Sequence, residues 1–269
     1  MKQKALYMQA DVNYANYLQL DKILNAQSPR GEEVEHDEML FIVIHQVYEL
    51  WFKQILHEID YLMALLQAQE TFPAIKTIKR ILTILKTVVS QIDVLETLSP
   101  LEFNAFRGHL STASGFQSYQ FRELEFVLGH KRAAMVNHFS DGSTASEMVK
   151  KRYTALTLWD AFANYLHAQG YAVPEDVLNR DVTLSVKPSL AMQNVLIEVY
   201  HHDSANAMLS EHLIDLDEGL LEWRYRHVKM VERTIGAKMG TGGSSGAEYL
   251  KTTLFRPVFP DLWAIRAEL

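Results

Sequence analysis

Two stretches of the chain, 37–69 and 73–98, repeat apolar residues at spacings of three and four over many turns. Ile55, Ile59, Leu62 and Leu66 carry the first stripe, and Ile78, Ile81, Leu85, Val88, Ile92 and Leu95 carry the second. That period belongs to one face of an α-helix and does not suit a strand, whose faces alternate every residue. Lys76, Lys79 and Lys86 lie mostly off the second stripe and leave that helix a wet side. Residues 39–44 are apolar all round, which demands burial on every side.

The rest of the chain repeats the theme. Helices are expected at 11–29, 100–109, 115–129, 145–170, 189–202, 205–236 and 247–254. Ser28-Pro29-Arg30-Gly31 closes the first, Pro174 and Pro188 mark breaks, and the loop Gly240–Gly246 ends the last long one. With only 12 glycines and 7 prolines in 269 residues, long uninterrupted helices are favoured over a turn-rich sandwich. The expected fold is all-α, a single domain over 1–269 with a small helical excursion around 140–185. The segment from Pro257 to Leu269, partly aromatic, is expected to pack on the core.

Composition removes several functions. There is no cysteine, so disulfides, thiolate zinc sites, iron–sulfur clusters and covalent c-type haem attachment are excluded together. The net charge is −7 and the basic residues are scattered among acids, so no nucleic-acid partner is expected. The N-terminus lacks a secretory apolar core. The uncharged run Met39–Tyr48 stops far short of the ~20 residues that span a bilayer. A cytoplasmic protein without a membrane partner is expected.

Four features carry possible chemistry. The glycine loop departs from both nucleotide-binding patterns: Ala247 and Glu248 follow it where a P-loop has lysine and serine, and its last glycine gap is one residue too long for the dinucleotide fingerprint. It reads either as a plain turn or as a mobile loop whose amides and Thr241 hydroxyl close over a small polar ligand. His45 sits in the apolar run with Phe41, Tyr48 and Phe52 near its face. On this segment alone, a core histidine and a pocket histidine are both open. His227 has Trp223, Met230 and Val231 on its apolar side and Arg224, Arg226, Lys229 and Arg233 nearby. That suits an axial ligand of haem, which presents an apolar macrocycle and two anionic propionates, and equally a buried structural histidine. Arg107, after Phe103 and Phe106 and before Ser111-Thr-Ala-Ser114-Gly115, suits either a carboxylate clamp or an ordinary helix surface. A di-iron bundle is the rival metal reading, through Glu33-Val-Glu-His36 and Glu198-Val-Tyr-His201.

Three blocks stand together: Phe41-Ile-Val-Ile-His45-Gln-Val-Tyr-Glu-Leu-Trp-Phe-Lys-Gln54; Phe103-Asn-Ala-Phe-Arg107 with Ser114-Gly-Phe-Gln-Ser118; and Arg226-His227, Ile235-Gly236 and Gly240-Thr-Gly-Gly-Ser-Ser-Gly246. In order and spacing they resemble the tryptophan 2,3-dioxygenase family. Tyr14-Ala-Asn-Tyr17-Leu18-Gln-Leu-Asp21 is similar to that family's N-terminal helix. The resemblance implies a long-helix bundle enclosing a b-type haem, ferrous for activity, in a cytoplasmic homotetramer with an exchanged N-terminal helix. It implies insertion of O2 across the indole C2–C3 bond of L-tryptophan to give N-formyl-L-kynurenine, the first step of tryptophan degradation by the kynurenine pathway.

Position by position, it implies that His227 is the axial haem ligand and His45 the distal residue that hydrogen-bonds the indole N–H. Phe41 packs on the indole, and the turn Phe41, Ile42, Val43, Ile44, His45 lines the pocket. Arg107 pairs with the substrate carboxylate, and Thr241 contacts its ammonium and carboxylate ends. Ser114 and Gly115 leave room above the haem. Tyr14, Tyr17 and Leu18 reach into a neighbouring subunit's pocket. Phe103 stands where some bacterial members carry tyrosine, so one hydroxyl is lost near the carboxylate. His45 is expected to position substrate more than to act as an essential base. The alternatives are a haem-based sensor or carrier, which would not need Arg107 and Thr241, and a related haem enzyme that modifies another indole.

Overall fold

The computed structural model describes residues 11–31, 35–111, 113–240 and 246–269, and every regular element among them is helical. In chain order these are α1 (Tyr14–Leu18), α2 (Leu20–Ile23), α3 (His36–Gln67), α4 (Thr71–Leu95), α5 (Pro100–Arg107), α6 (Tyr119–Leu128) and α7 (Ala133–Val136). There follow α8 (Thr144–Thr154), α9 (Leu158–Ala168), α10 (Glu175–Leu178), α11 (Leu190–His202), α12 (Ser204–Ile235), α13 (Ala247–Lys251) and α14 (Pro260–Ala264). No described helix is long and apolar enough to cross a membrane.

The helices α3, α4 and α12 form the frame. α4 packs along both α3 and α12. The expected stripes are the packing faces: Ile55, Ile59, Leu62 and Leu66 of α3 and Ile78, Ile81, Val88 and Ile92 of α4 are all buried in one core. Contact between α4 and α12 is close because Gly219 has no side chain; a Cβ there would stand 2.8 Å from Leu85 Cδ2. α6 and α9 cover another side of α3, α8 packs on α6, and α11 and α14 cover α12.

Two expected helices are broken. The N-terminal one, expected over 11–29, is two short pieces, because Gln19 takes a left-handed φ of 52° between α1 and α2. Neither piece buries a residue, so no packing supports a longer helix. The helix expected over 145–170 is α8 and α9. Lys131 ends α8 by donating from Nζ to the carbonyls of Arg152, Tyr153 and Ala155 at 2.7, 2.8 and 2.9 Å. Thr157 starts α9 through a capping box with Asp160, which also pairs with Arg180.

The C-terminal segment packs on the core as expected. Asp217 of α12 holds it, accepting through Oδ2 from the amides of Val258 and Phe259 and from the Trp263 indole, at 2.9, 3.1 and 2.9 Å.

Candidate active site

One cavity draws residues from α3, α5, α12 and the stretch 114–125. Its atom-free space is about 1610 Å³, part of it open to solvent. α3 supplies Phe41, His45, Tyr48, Glu49 and Phe52, spaced so that one helix face presents them together. α12 supplies Trp223, Arg224, His227 and Val231 by the same logic.

The walls are largely aromatic. Phe41 lies 4.2 Å from the His45 ring and 5.7 and 5.5 Å from Phe103 and Phe106. Trp223 stacks parallel to His227, with centroids 5.2 Å apart and planes at 3°, and its other neighbours are Phe52 and Phe121 at 6.1 and 5.0 Å. The indole thus fixes the imidazole plane.

Both histidines are held neutral. Burial pushes His227 down to about 4, with the nearby His45 adding a smaller push in the same direction. Burial also lowers His45, offset in part by its bond to the Phe41 carbonyl and by the Glu49 charge. His45 Nδ1 lies 2.7 Å from the Phe41 oxygen. A carbonyl only accepts, so Nδ1 carries the proton and Nε2 is left with its lone pair.

Arg107, at the end of α5, donates to the carbonyl of Met239, next to Gly240 of the cavity wall. Ser114 and Gly115 line the cavity, and a Cβ on Gly115 would meet nothing within 4 Å. Phe103 is buried against Phe41 and Phe106.

The structure therefore gathers Phe41, His45, Phe103, Arg107, Ser114, Gly115 and His227 around one space. It does not bring Ile42, Val43 or Ile44 there. At 100° per residue these three turn away: Ile44 enters the core and Val43 is exposed. Tyr14 and Tyr17 are each 76% exposed and Leu18 37%, outside this cavity. Thr241 lies outside the described residues.

The cations expected beside His227 need correction. Arg226 pairs with Asp93 and Glu96, Lys229 with Glu232, and Arg233 with Glu96. They sit on the other side of α12, and of the four only Arg224, three residues before His227, reaches the cavity. Arg122, Glu125 and Arg132 join it there, residues that sequence reasoning passed over. The signal was an Arg-x-x-Glu pair inside the apolar helix α6. Glu33 of the first di-iron pair lies outside the described residues, and among the described ones nothing supports that reading. No three potential ligand side chains converge, and Glu198 and His201 are exposed on α11. His227, neutral on the cavity wall and in no group of three potential ligands among the described residues, fits instead a metal that brings ligands of its own, as haem does.

A family model described as tryptophan 2,3-dioxygenase matches residues 2–151 and 175–269. The chain is 60% identical over 262 residues to a tryptophan 2,3-dioxygenase of Herpetosiphon aurantiacus, covering 97% of this chain and 100% of that one. It is 54% identical over 260 residues to one of Anaeromyxobacter sp. (strain K), covering 97% of each, and 40% identical over 262 residues to one of Bordetella pertussis, covering 96% and 92%.

Proposed function

This chain belongs to the tryptophan 2,3-dioxygenase family, and on that premise we propose how its cavity serves the reaction. The enzyme is a dioxygenase that inserts O2 across the indole C2–C3 bond of L-tryptophan and yields N-formyl-L-kynurenine, the first step of tryptophan degradation. The observation that carries the site assignment is the placement of His45 and His227, both neutral, in one aromatic cavity with Arg107 on its α5 wall.

His227 would hold the iron of a b-type haem. Its depressed pKa keeps the lone pair free for metal at neutral pH, and the parallel Trp223 ring sets its plane. The haem, ferrous when active, supplies the activation of O2. The chain's own residues bind and orient substrate and keep water out. The indole lies in the slot by Phe41 and Phe103, and its N–H donates to His45 Nε2. Arg107 still has donors beyond the one given to Met239 and pairs with the substrate carboxylate. Thr241 completes the clamp at the amino-acid end. Ser114 and Gly115, small residues of the cavity lining, would leave room for the bound haem and substrate.

Tyr14, Tyr17 and Leu18 belong in a neighbouring subunit's cavity within a homotetramer. Their exposure supports this: among the described residues Tyr14 and Tyr17 are each 76% exposed and Leu18 is 37% exposed. The whole chain acts as one domain in the cytoplasm.

The test is direct. The protein is reconstituted with haem, reduced and given L-tryptophan in air. A Soret band and N-formylkynurenine absorbance are expected. A Soret band without product would leave a sensor or carrier, and no Soret band at all would sink the haem assignment.

A further inference from the structure

The N-terminal helices α1 and α2 bury no residue, so apolar packing does not fix where they stand. The segment that joins them to α3 is held by polar contacts instead. Glu38, in the first turn of α3, is only 1% exposed. Its Oε1 accepts from the amide of Arg30 at 2.8 Å and its Oε2 from the amide of Gly31 at 3.1 Å. Gln46, two turns further along α3, makes a second fastening. Its Nε2 donates to the Ala26 carbonyl at 3.0 Å, and its Oε1 accepts from Gln27 Nε2 at 2.7 Å. Gln27 Nε2 also reaches back to the Ile23 carbonyl at the end of α2, at 2.9 Å.

A carboxylate is costly to take out of water unless its lone pairs are filled. At Glu38 they are filled by a loop whose own residues are exposed or half-buried. The core gains little from those two bonds, whereas the loop gains a fixed position. Two successive amides aimed at one buried carboxylate also set the direction in which the chain runs between α2 and α3.

We propose that Glu38 and Gln46 are positioning residues for the substrate site: they hold the root of the N-terminal arm so that Tyr14, Tyr17 and Leu18 meet the neighbouring subunit's cavity in one place. This rests on the reading that the arm completes that cavity. Neither Glu38 nor Gln46 lines the cavity of its own chain, and each acts through the arm. Glu38 stands three and seven residues before Phe41 and His45 on the same helix, so the arm given to one cavity is rooted on the helix that walls another.

Steady-state kinetics of the haem-loaded enzyme test this with Glu38→Gln, Gln46→Glu, Tyr17→Ala and the double variant of Glu38→Gln with Tyr17→Ala. Glutamine keeps the shape of glutamate but turns an amide nitrogen towards one of the two backbone donors, which loses that bond. Gln46→Glu likewise sets an oxygen against the Ala26 carbonyl. Each is expected to raise KM for L-tryptophan by roughly three- to tenfold, about the contribution of one hydrogen bond, with kcat little changed. In the double variant KM is expected to be no higher than in Tyr17→Ala alone, because the contact that Glu38 positions is already gone. A merely structural role would let the two effects multiply. The proposal is overturned if neither Glu38→Gln nor Gln46→Glu raises KM, or if the increases multiply in the double variant. Far-UV circular dichroism and the Soret band identify a variant that fails to fold or to load haem, and half-buried Gln46 then replaces Glu38 in the double variant. Should Tyr17→Ala itself leave KM unchanged, it is the reading of the arm that falls.

Discussion

A histidine that donates from Nδ1 to its own helix backbone has one nitrogen left for work, and at His45 that nitrogen is an acceptor. An acceptor suits an indole N–H. It also makes a weak base, since burial holds the imidazolium form unfavourable. His45→Ala is therefore expected to lower kcat/KM by roughly tenfold, about what one hydrogen bond supplies. A haem-loaded, tryptophan-binding variant with no activity whatever would instead make His45 an essential base. The pH profile follows the same logic. The acceptor form persists as pH falls through 6.5, the ordinary histidine value, and is lost only below the depressed pKa. Steady-state rates of the loaded enzyme between pH 5 and 8 check this. At this scale the sequence was partly legible. The three-residue and four-residue spacings that set Phe41 beside His45, and Trp223 beside His227, can be read directly. The wall around Glu125 cannot, because it joins α6, α12 and the start of α7 across almost a hundred residues.

Among the elements, the long helices were legible and the short ones were not. α3, α4 and α12 carry their own stripes over many turns, and burial of those stripes in one core is what holds them. The break between α8 and α9 depends on Lys131, which is distant in sequence from the carbonyls it caps, and on a Thr157–Asp160 box that Arg180 completes from beyond α9. Such partners leave no local period to read. The α4–α12 contact offers a test of the frame. Gly219→Val would drive two methyl groups into Leu85, at a cost of about 1–3 kcal/mol. Gly219→Ala would cost less, because its single methyl group meets the movable end of the leucine and alanine favours the helix. Urea unfolding of the two variants measures the difference. Equal stability of wild type and the valine variant would mean that α12 does not approach α4 so closely.

For the molecule as a whole, the exposed N-terminal helices and the buried charges make separate demands. Tyr14 and Tyr17 stand largely exposed among the described residues. If they complete a neighbour's cavity, Tyr17→Ala should raise KM for L-tryptophan severalfold while haem binding stays as in wild type; an unchanged KM would remove these residues from the site. The family match skips 152–174, yet α9 within that gap buries Trp159, Phe162 and Tyr165, so this segment belongs to the packing of the whole. The buried charges predict acid lability. Burial, with Arg224 next, pushes His130 down to about 4, well below the 6.5 of an unfolded histidine. A base with a depressed folded pKa contributes its full stability above 6.5 and loses it as pH falls towards 4. Between pH 7.5 and 5 that loss is about 2 kcal/mol. Asp217 and Asp261, whose pKa values are raised by burial, act in the opposite sense and gain as the pH drops. Comparing wild type with His130→Gln therefore isolates the histidine. Urea midpoints at the two pH values should show the variant losing less stability on acidification, by about that 2 kcal/mol. Identical pH slopes in the two proteins would mean that burial and Arg224 do not hold His130 neutral in the folded protein.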